Sequence, residues 1–274
     1  MTQPWERGDE RERWAGYLDP ETGNPQDRRT WVLRNNVGAR TWGQLQHLEG
    51  QFAALRAITA RSAGVPATFD LDGLRAVHRH LFQDVYPWAG QIRTVNIAKG
   101  GGYFTAPEQI EPVMSQLAGL IAQHDNLRGI APTRVPAALA RIYGEINNLH
   151  PFREGNGRTG REFVAALARE SGHRIDWDLV AQHSTELNEN DVASAAYRDG
   201  DHVPMEAMFA RIVHKDDVVA AAADDALALI NQDRARSALA ATYPSIPSRT
   251  APPGPSAARA QHPPAAEAQR GYSR

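Results

Sequence analysis

The chain has 274 residues, a formal net charge of −2 and 42% hydrophobic residues. These values suit one large domain or two small ones and argue against a surface built to coat nucleic acid or anionic membrane. The absence of cysteine excludes disulfides, thiolate zinc sites and a cysteine nucleophile.

The chain opens with polar, charged residues from Trp5 to Arg13 and carries no long apolar run. Neither a Sec-type signal peptide nor a membrane span is expected, and the cytoplasm is the default location. A short helix is predicted over Glu6 to Ala15, with an ordered turn at Tyr17-Leu18-Asp19-Pro20. Helical periodicity begins near Thr41. Trp42, Leu45, Leu48, Phe52, Leu55 and Ile58 recur at three- and four-residue steps and predict one apolar face. A second helix fits Leu71 to Phe82, with Leu71, Leu74, Val77, His78 and Leu81 aligned, and Pro87 keeps the helical stretch from continuing.

Residues 90–106 read as a β-hairpin. Ile92, Val95 and Ile97 favour strand, and Lys99-Gly100-Gly101-Gly102 supplies a glycine tip before Tyr103 and Phe104. Pro107 suits the first turn of a helix facing inward through Val113, Leu117, Leu120 and Ile121. Pro136 opens another, carrying Leu139, Ile142, Tyr143, Ile146 and Leu149. The next runs from near Asn156 to Ser171, buries Phe163, Val164, Leu167 and Ala168, and closes at Gly172. Further helices fit Trp177 to Glu186, Asp191 to Arg198 and Met205 to Val213.

An Ala-rich helical segment is expected over 216–242. The Pro-, Ala- and Arg-rich residues 243–274 bury too little to offset their ordering entropy and are expected to be disordered. The expectation is therefore an all-α, mainly helical domain over 36–215 with a short β-hairpin flap, after an N-terminal extension over 1–35.

His150-Pro151-Phe152-Arg153-Glu154-Gly155-Asn156-Gly157-Arg158-Thr159-Gly160-Arg161 joins two of these helices and carries the chemistry. Gly155 and Gly157 leave backbone amides uncovered at a helix start, where the dipole favours an anion, and Asn156 adds a side-chain donor. Arg158 and Arg161 are three apart, share a helix face and suggest a polyphosphate. Glu154, a lone carboxylate beside phosphates, suits Mg²⁺. His150 ends the preceding helix with an ordinary pKa near 6.5 and can accept a proton from a nucleophile attacking phosphorus. Taken singly, each residue reads as a cap, a turn or a solvated ion pair. The ordered constellation in a helix–loop–helix does not.

These twelve residues resemble the signature His-Pro-Phe-x-(Asp/Glu)-Gly-Asn-Gly-Arg-x-x-Arg of the Fic family, with no substitution. Val77 to Gly90 is similar to the segment leading into that family's flap, and Ile97 to Phe104 to the flap itself; the resemblance covers about residues 15–213. It implies transfer of AMP from ATP to a hydroxyl side chain of a target protein, with pyrophosphate leaving. His150 would then be the base and Glu154 the Mg²⁺ ligand. Gly155, Asn156 and Gly157 would line the anion hole, and Arg158 and Arg161 would hold the β- and γ-phosphates. The flap residues Ile97, Gly102, Tyr103 and Phe104 would receive the target by strand addition. Doc-type relatives that phosphorylate carry lysine in place of the second glycine; Gly157 favours AMP transfer.

The resemblance also implies silencing by a helix bearing (Ser/Thr)-x-x-x-Glu-(Gly/Asn), whose glutamate pairs with Arg161. Thr185-Glu186-Leu187-Asn188-Glu189-Asn190 fits that pattern formally but lies among core helices, so it is read as ordinary helix. The expectation is a toxin held by a separate small antitoxin that supplies the inhibitory helix. Among targets, the resemblance implies the ATPase subunit of a type II topoisomerase; no membrane or direct nucleic-acid partner is expected. The alternatives are a catalytically silent or self-inhibited nucleotide- or peptide-binding module and a secreted effector with the same chemistry.

Overall fold

The computed structural model describes residues 16–22, 30–60, 62–99, 102–181 and 188–216. All fall within one unit, Met1–Ala222. The helix expected at Glu6 to Ala15, the flap tip at Gly100 and Gly101, and the segments expected over 217–242 and 243–274 lie outside the described residues.

Strand β1 (Leu18–Asp19) pairs antiparallel with β2 (Val32–Leu33). Helix α1 (Trp42–Ala60) comes next. Helix α2 (Leu71–Phe82) starts at Asp70, whose side chain accepts the Gly73 amide at 2.9 Å. Strands β3 (Ala98–Lys99) and β4 (Gly102–Tyr103) form the flap as a two-stranded antiparallel sheet, with Ala98 opposite Tyr103 and Lys99 opposite Gly102. Helix α3 (Ile110–Gln123) succeeds a 3₁₀ turn at Pro107–Gln109, and α4 (Val135–Leu149) succeeds one at Pro132–Arg134. Proline suits both starts because a first-turn N–H has no helical partner to lose.

Helix α5 (Asn156–Glu170) leads through Gly172 into β5 (His173–Ile175). Helix α6 (Glu189–Arg198) begins at a capping box formed by Asn188 and Asp191. Helix α7 (Val203–Ile212) runs directly into β6 (Val213–Lys215), which pairs with β5. Among the described residues no helix is long and apolar enough to cross a membrane.

The core centres on α4 and α5. Leu139, Tyr143, Ile146 and Leu149 from α4 meet Phe163, Val164 and Leu167 from α5, all buried, with α3, α6 and α7 packed on α4 and α2 on α5. Each such side chain contributes roughly 1.5–3 kcal/mol. The α4–α5 pair is thus a fixed platform for the loop that joins it.

In two helices the buried face overlaps the predicted one but is rotated from it: Leu45 in α1 and Leu117 and Ile121 in α3 are buried as predicted, and Leu48, Phe52 and Val113 pack partly buried against the core. In α1 the buried positions are Leu45, Glu49, Ala53 and Ala60, while Trp42, Leu55 and Ile58 are exposed. On that buried face Glu49 pairs with Arg158 and accepts the Tyr86 hydroxyl. In α3 Ile110, Met114, Leu117 and Ile121 are buried and Leu120 is exposed. The helix expected over Trp177 to Glu186 is a single 3₁₀ turn, Trp177–Leu179, ended by extended Val180; residues 182–187 lie outside the described residues. The predicted Met205–Val213 helix stops one residue early because Val213 joins a strand. Trp31, Val32 and Leu33 are buried, so part of the stretch read as an extension belongs to the core.

Candidate active site

The loop between α4 and α5 forms one wall of a cavity of about 660 Å³, lined also by the flap and by α6. His150, Glu154, Gly155, Asn156, Gly157, Arg158 and Arg161 all reach it, as do Ile97 and Phe104. Of the predicted site residues only Gly102 and Tyr103 stand outside; both are exposed on β4.

His150 caps α4 in the left-handed region, at φ 44°. That conformation ends the helix and is unusual for a residue with a side chain. Its ring stacks on Phe104, with centroids 3.8 Å apart. The Nδ1–H donates to the Asn147 carbonyl at 2.9 Å, which leaves Nε2 as the acceptor. Burial, with the cations Arg93, Lys99 and Arg198 nearby, holds the imidazole down at about 4. The ring is therefore neutral at pH 7.

Two residues outside the motif fix this geometry. The buried Arg93 guanidinium donates to the carbonyls of His150 at 2.7 Å, Val95 at 2.6 Å, Leu149 at 3.3 Å and Thr105. It ties both ends of the flap to the end of α4. A buried cation is tolerable when its donors are satisfied in this way; burial draws its pKa down to about 10, so it stays charged. His78, on α2, accepts the Gly90 amide on Nδ1 at 2.7 Å and donates from Nε2 to the Glu154 carbonyl at 3.0 Å. Its ring lies 3.9 Å from that of Phe152, and burial lowers its pKa to about 3. The sequence showed His78 only as a member of an apolar stripe. For Arg93 it offered no signal, because the guanidinium's acceptors are all backbone carbonyls.

The glycines divide the work differently from the expectation. Gly155 sits at φ +80°, and a Cβ there would lie 2.5 Å from the Phe82 ring. Gly157 has ordinary helical geometry, and a Cβ there would meet only open space. Its lack of a side chain keeps the cavity wide at the helix start. Asn156 also departs from its expected role. Its Oδ1 accepts the Phe152 amide and its Nδ2 donates to the Phe152 carbonyl, both at 2.8 Å, so the side chain braces the loop and does not point a donor at an anion. The anion-binding capacity rests on the first-turn amides of α5, which has no side-chain cap.

Glu154 touches the site through a carboxylate that accepts its neighbour's amide, from Gly155, at 3.1 Å. Arg158 pairs with Glu49 and stands 4.8 Å over the Phe82 ring. Arg161 lies 5.8 Å over the Trp177 ring, and among the described residues no carboxylate pairs with it. Glu189 pairs instead with Arg211, and it accepts the Ala181 amide at 3.0 Å. Ile97 and Phe104 are buried and anchor the flap, whereas Tyr103 is 58% exposed.

The pKa of His150 sets a pH expectation. The acid limb of kcat/KM for the free enzyme falls near pH 4, well below the 6.5 of an unburied histidine; a limb at 6.5 in a pH–rate profile contradicts the buried neutral ring. His78 and His150 both have folded pKa values below the unfolded one, so the unfolded chain binds more protons from about pH 6.5 down to the folded values, about 4 for His150 and about 3 for His78. Stability is then complete above that window and declines as pH falls through it, by up to about 1.4 kcal/mol per pH unit for each ring. Thermal melts across the range read it directly.

Comparison with known proteins gives consistent matches. Residues 68–168 match the pattern described as the Fic/DOC family. The chain is 41% identical over 164 residues to the protein adenylyltransferase VbhT of Bartonella schoenbuchensis; the match covers 60% of this chain and 33% of that protein, so it spans about a third of that relative's length. It is 31% identical over 182 residues to the probable protein adenylyltransferase Fic of Escherichia coli, covering 66% of this chain and 88% of that one. Among solved structures, the N-terminal Fic domain of a VirB-translocated Bep effector protein from Bartonella quintana, with bound ADP, superposes with a TM-score of 0.60. The match is 27% identical and covers 67% of this chain and 91% of that one.

Proposed function

The chain belongs to the Fic/DOC family, and we propose that it is a protein adenylyltransferase, moving AMP from ATP to a hydroxyl side chain of a target protein. The observation that carries this is the His150 imidazole. Its Nδ1 is committed to a carbonyl and its Nε2 is left as acceptor, in one cavity with the uncapped start of α5 and both motif arginines.

The target hydroxyl gives its proton to His150 Nε2 as its oxygen forms a bond to the α-phosphorus. The bond from that phosphorus to the bridging oxygen breaks, and pyrophosphate leaves. The α5 amides, Arg158 and Arg161 hold the phosphates, where fixed donors are worth most as charge develops. The donor set fits Mg²⁺ shared with substrate: one carboxylate, Glu154, beside a phosphate site, with water and phosphate oxygens to complete the shell. Bound there, the ion would neutralise charge on the phosphates.

On the α6 side, Ser194 Oγ and Asn190 Oδ1 are buried without hydrogen-bond partners, which supports placing the nucleoside against that helix. Among the described residues the flap sheet has two strands, and in this reading a strand from the target adds to its edge, with Tyr103 exposed beside it. A topoisomerase ATPase subunit remains our proposed target and the cytoplasm our proposed location.

Regulation in this reading comes from a separate antitoxin. A groove beside Arg161 and Glu162 is floored by Gly50, Ala53, Ala54 and Ala57 of α1, small residues that admit a helix whose carboxylate would pair with Arg161. Glu189→Gly therefore leaves basal activity of the isolated chain unchanged while lowering its melting temperature through loss of Arg211; a sharp rise in self-modification points to self-inhibition instead.

Product analysis tests the activity. Turnover with target must release pyrophosphate one-for-one with modified protein. Release of ADP would mean phosphoryl transfer and would sink the proposal.

A further inference from the structure

Glu49 lies mid-helix on the buried face of α1, 6% exposed. An ionised side chain is rarely found at such a position unless paired. One carboxylate oxygen receives the Arg158 guanidinium, 109 residues away, and the other receives the Tyr86 hydroxyl. Tyr86 is itself held by stacking on Trp88, with centroids 4.3 Å apart.

The pair is not sealed in the core. The Arg158 side chain is 33% exposed and forms a wall of the main cavity, while Glu49 reaches it from a smaller cleft behind, which Tyr86 also lines. A buried ion pair is weak evidence for stability, because apolar residues of similar size often do as well. What this pair does is geometric. Glu49 takes one end of the guanidinium and the Phe82 ring lies under its plane at 4.8 Å, so the group is held on two sides. Arginine has five N–H donors in a rigid fork. With Nη2 committed, the remaining donors are available toward the cavity in one orientation.

We propose that Glu49, with Tyr86 behind it, is a positioning residue that pre-sets Arg158 to grip the outer phosphates of the nucleotide. The proposal rests on the reading of this cavity as an ATP site. An unanchored Arg158 would have to be ordered at each binding event, and that cost falls on nucleotide affinity. Because the grip falls beyond the α-phosphate, a ligand lacking the outer phosphates does not feel it.

Calorimetric titration of the full chain with ATP and, separately, with AMP decides the matter, using wild type, Glu49→Ala, Glu49→Gln and Tyr86→Phe. Removing a group that orients a metal ligand typically costs about 10–100-fold, and a carboxylate that orients a phosphate-binding arginine is the analogous case. Glu49→Ala is expected to weaken ATP by about tenfold, within that range, and to leave AMP unchanged. Glu49→Gln keeps an acceptor for Arg158 and is expected to recover most of the ATP affinity; Tyr86→Phe gives a smaller loss in the same direction. The KM for ATP rises in Glu49→Ala while kcat at saturation holds. Unchanged ATP binding in Glu49→Ala overturns the proposal, as does an equal loss for AMP, which would mark a general loosening. Tighter ATP binding also overturns it, since Glu49 would then be a competitor of phosphate. If wild type binds no ATP, the reading of the site fails and not the role of Glu49 alone.

Discussion

His150→Ala lowers the rate of AMP transfer by about 10²–10⁴-fold, the usual worth of a positioned general base, and leaves ATP binding nearly intact. The geometry separates the two effects. The imidazole makes one hydrogen bond, from Nδ1 to the Asn147 carbonyl, and one ring contact, on Phe104. Neither holds the α5 start, Arg158 or Arg161. The loop is braced by Asn156 on Phe152 and by His78 on the Glu154 carbonyl, and Arg93 grips the backbone of residue 150 and not its ring. Removing the ring thus deletes the acceptor and little else. A kinetic comparison at saturating ATP reads it: kcat collapses while KM for ATP shifts little. A variant with near wild-type kcat would remove His150 from the reaction.

Gly155→Ala has the opposite signature. The backbone at φ +80° costs an alanine about 1–2 kcal/mol. The new Cβ also falls 2.5 Å from two carbons of the Phe82 ring, and overpacking of that kind costs about 1–3 kcal/mol more. Phe82 cannot simply move, because it is fully buried and carries the Arg158 guanidinium on its face. The loop gives instead, taking Glu154 and the first α5 amides with it. Melting temperature drops on the order of 10 °C, and ATP binding falls with it. Gly157→Ala is the control. Its Cβ enters open space on an ordinary helical backbone, so the fold keeps its stability or gains slightly, yet the methyl group narrows the cavity at the helix start. Calorimetry and thermal melts on the two variants separate a loop distorted from a cavity filled. Equal stability losses would contradict the distinction.

How much of this was legible in the sequence depends on where each residue's partners lie. The twelve residues of the loop were readable because their partners are close: Asn156 braces Phe152, four residues away, and His150 caps its own helix. Helices α2, α4 and α5 were readable because their apolar stripes coincide with the faces they bury. The stripe in α1 misled in part, since the buried face also carries Glu49, whose partners Tyr86 and Arg158 lie 37 and 109 residues away. Arg93 was invisible for a similar reason. It bonds main-chain carbonyls, and those of Leu149 and His150 lie 56 and 57 residues on; no residue type in the sequence marks such acceptors. Strands β1, β2, β5 and β6 are two or three residues long, too short for alternation to register, and they arise from chain closure in three dimensions. The Asn156 side chain, read as a donor to an anion, bonds the backbone of its own loop in the structure, as a polar residue in a glycine loop can.

In the proposed reaction the α-phosphorus of ATP is attacked by a hydroxyl that His150 deprotonates. The most direct measurement incubates the full chain with Mg²⁺, cell lysate and ATP labelled at either the α- or the γ-phosphate, beside His150→Ala. Label from the α-position is expected on a discrete protein and is expected to be lost in the variant. Label on protein from the γ-position alone would contradict the proposed reaction.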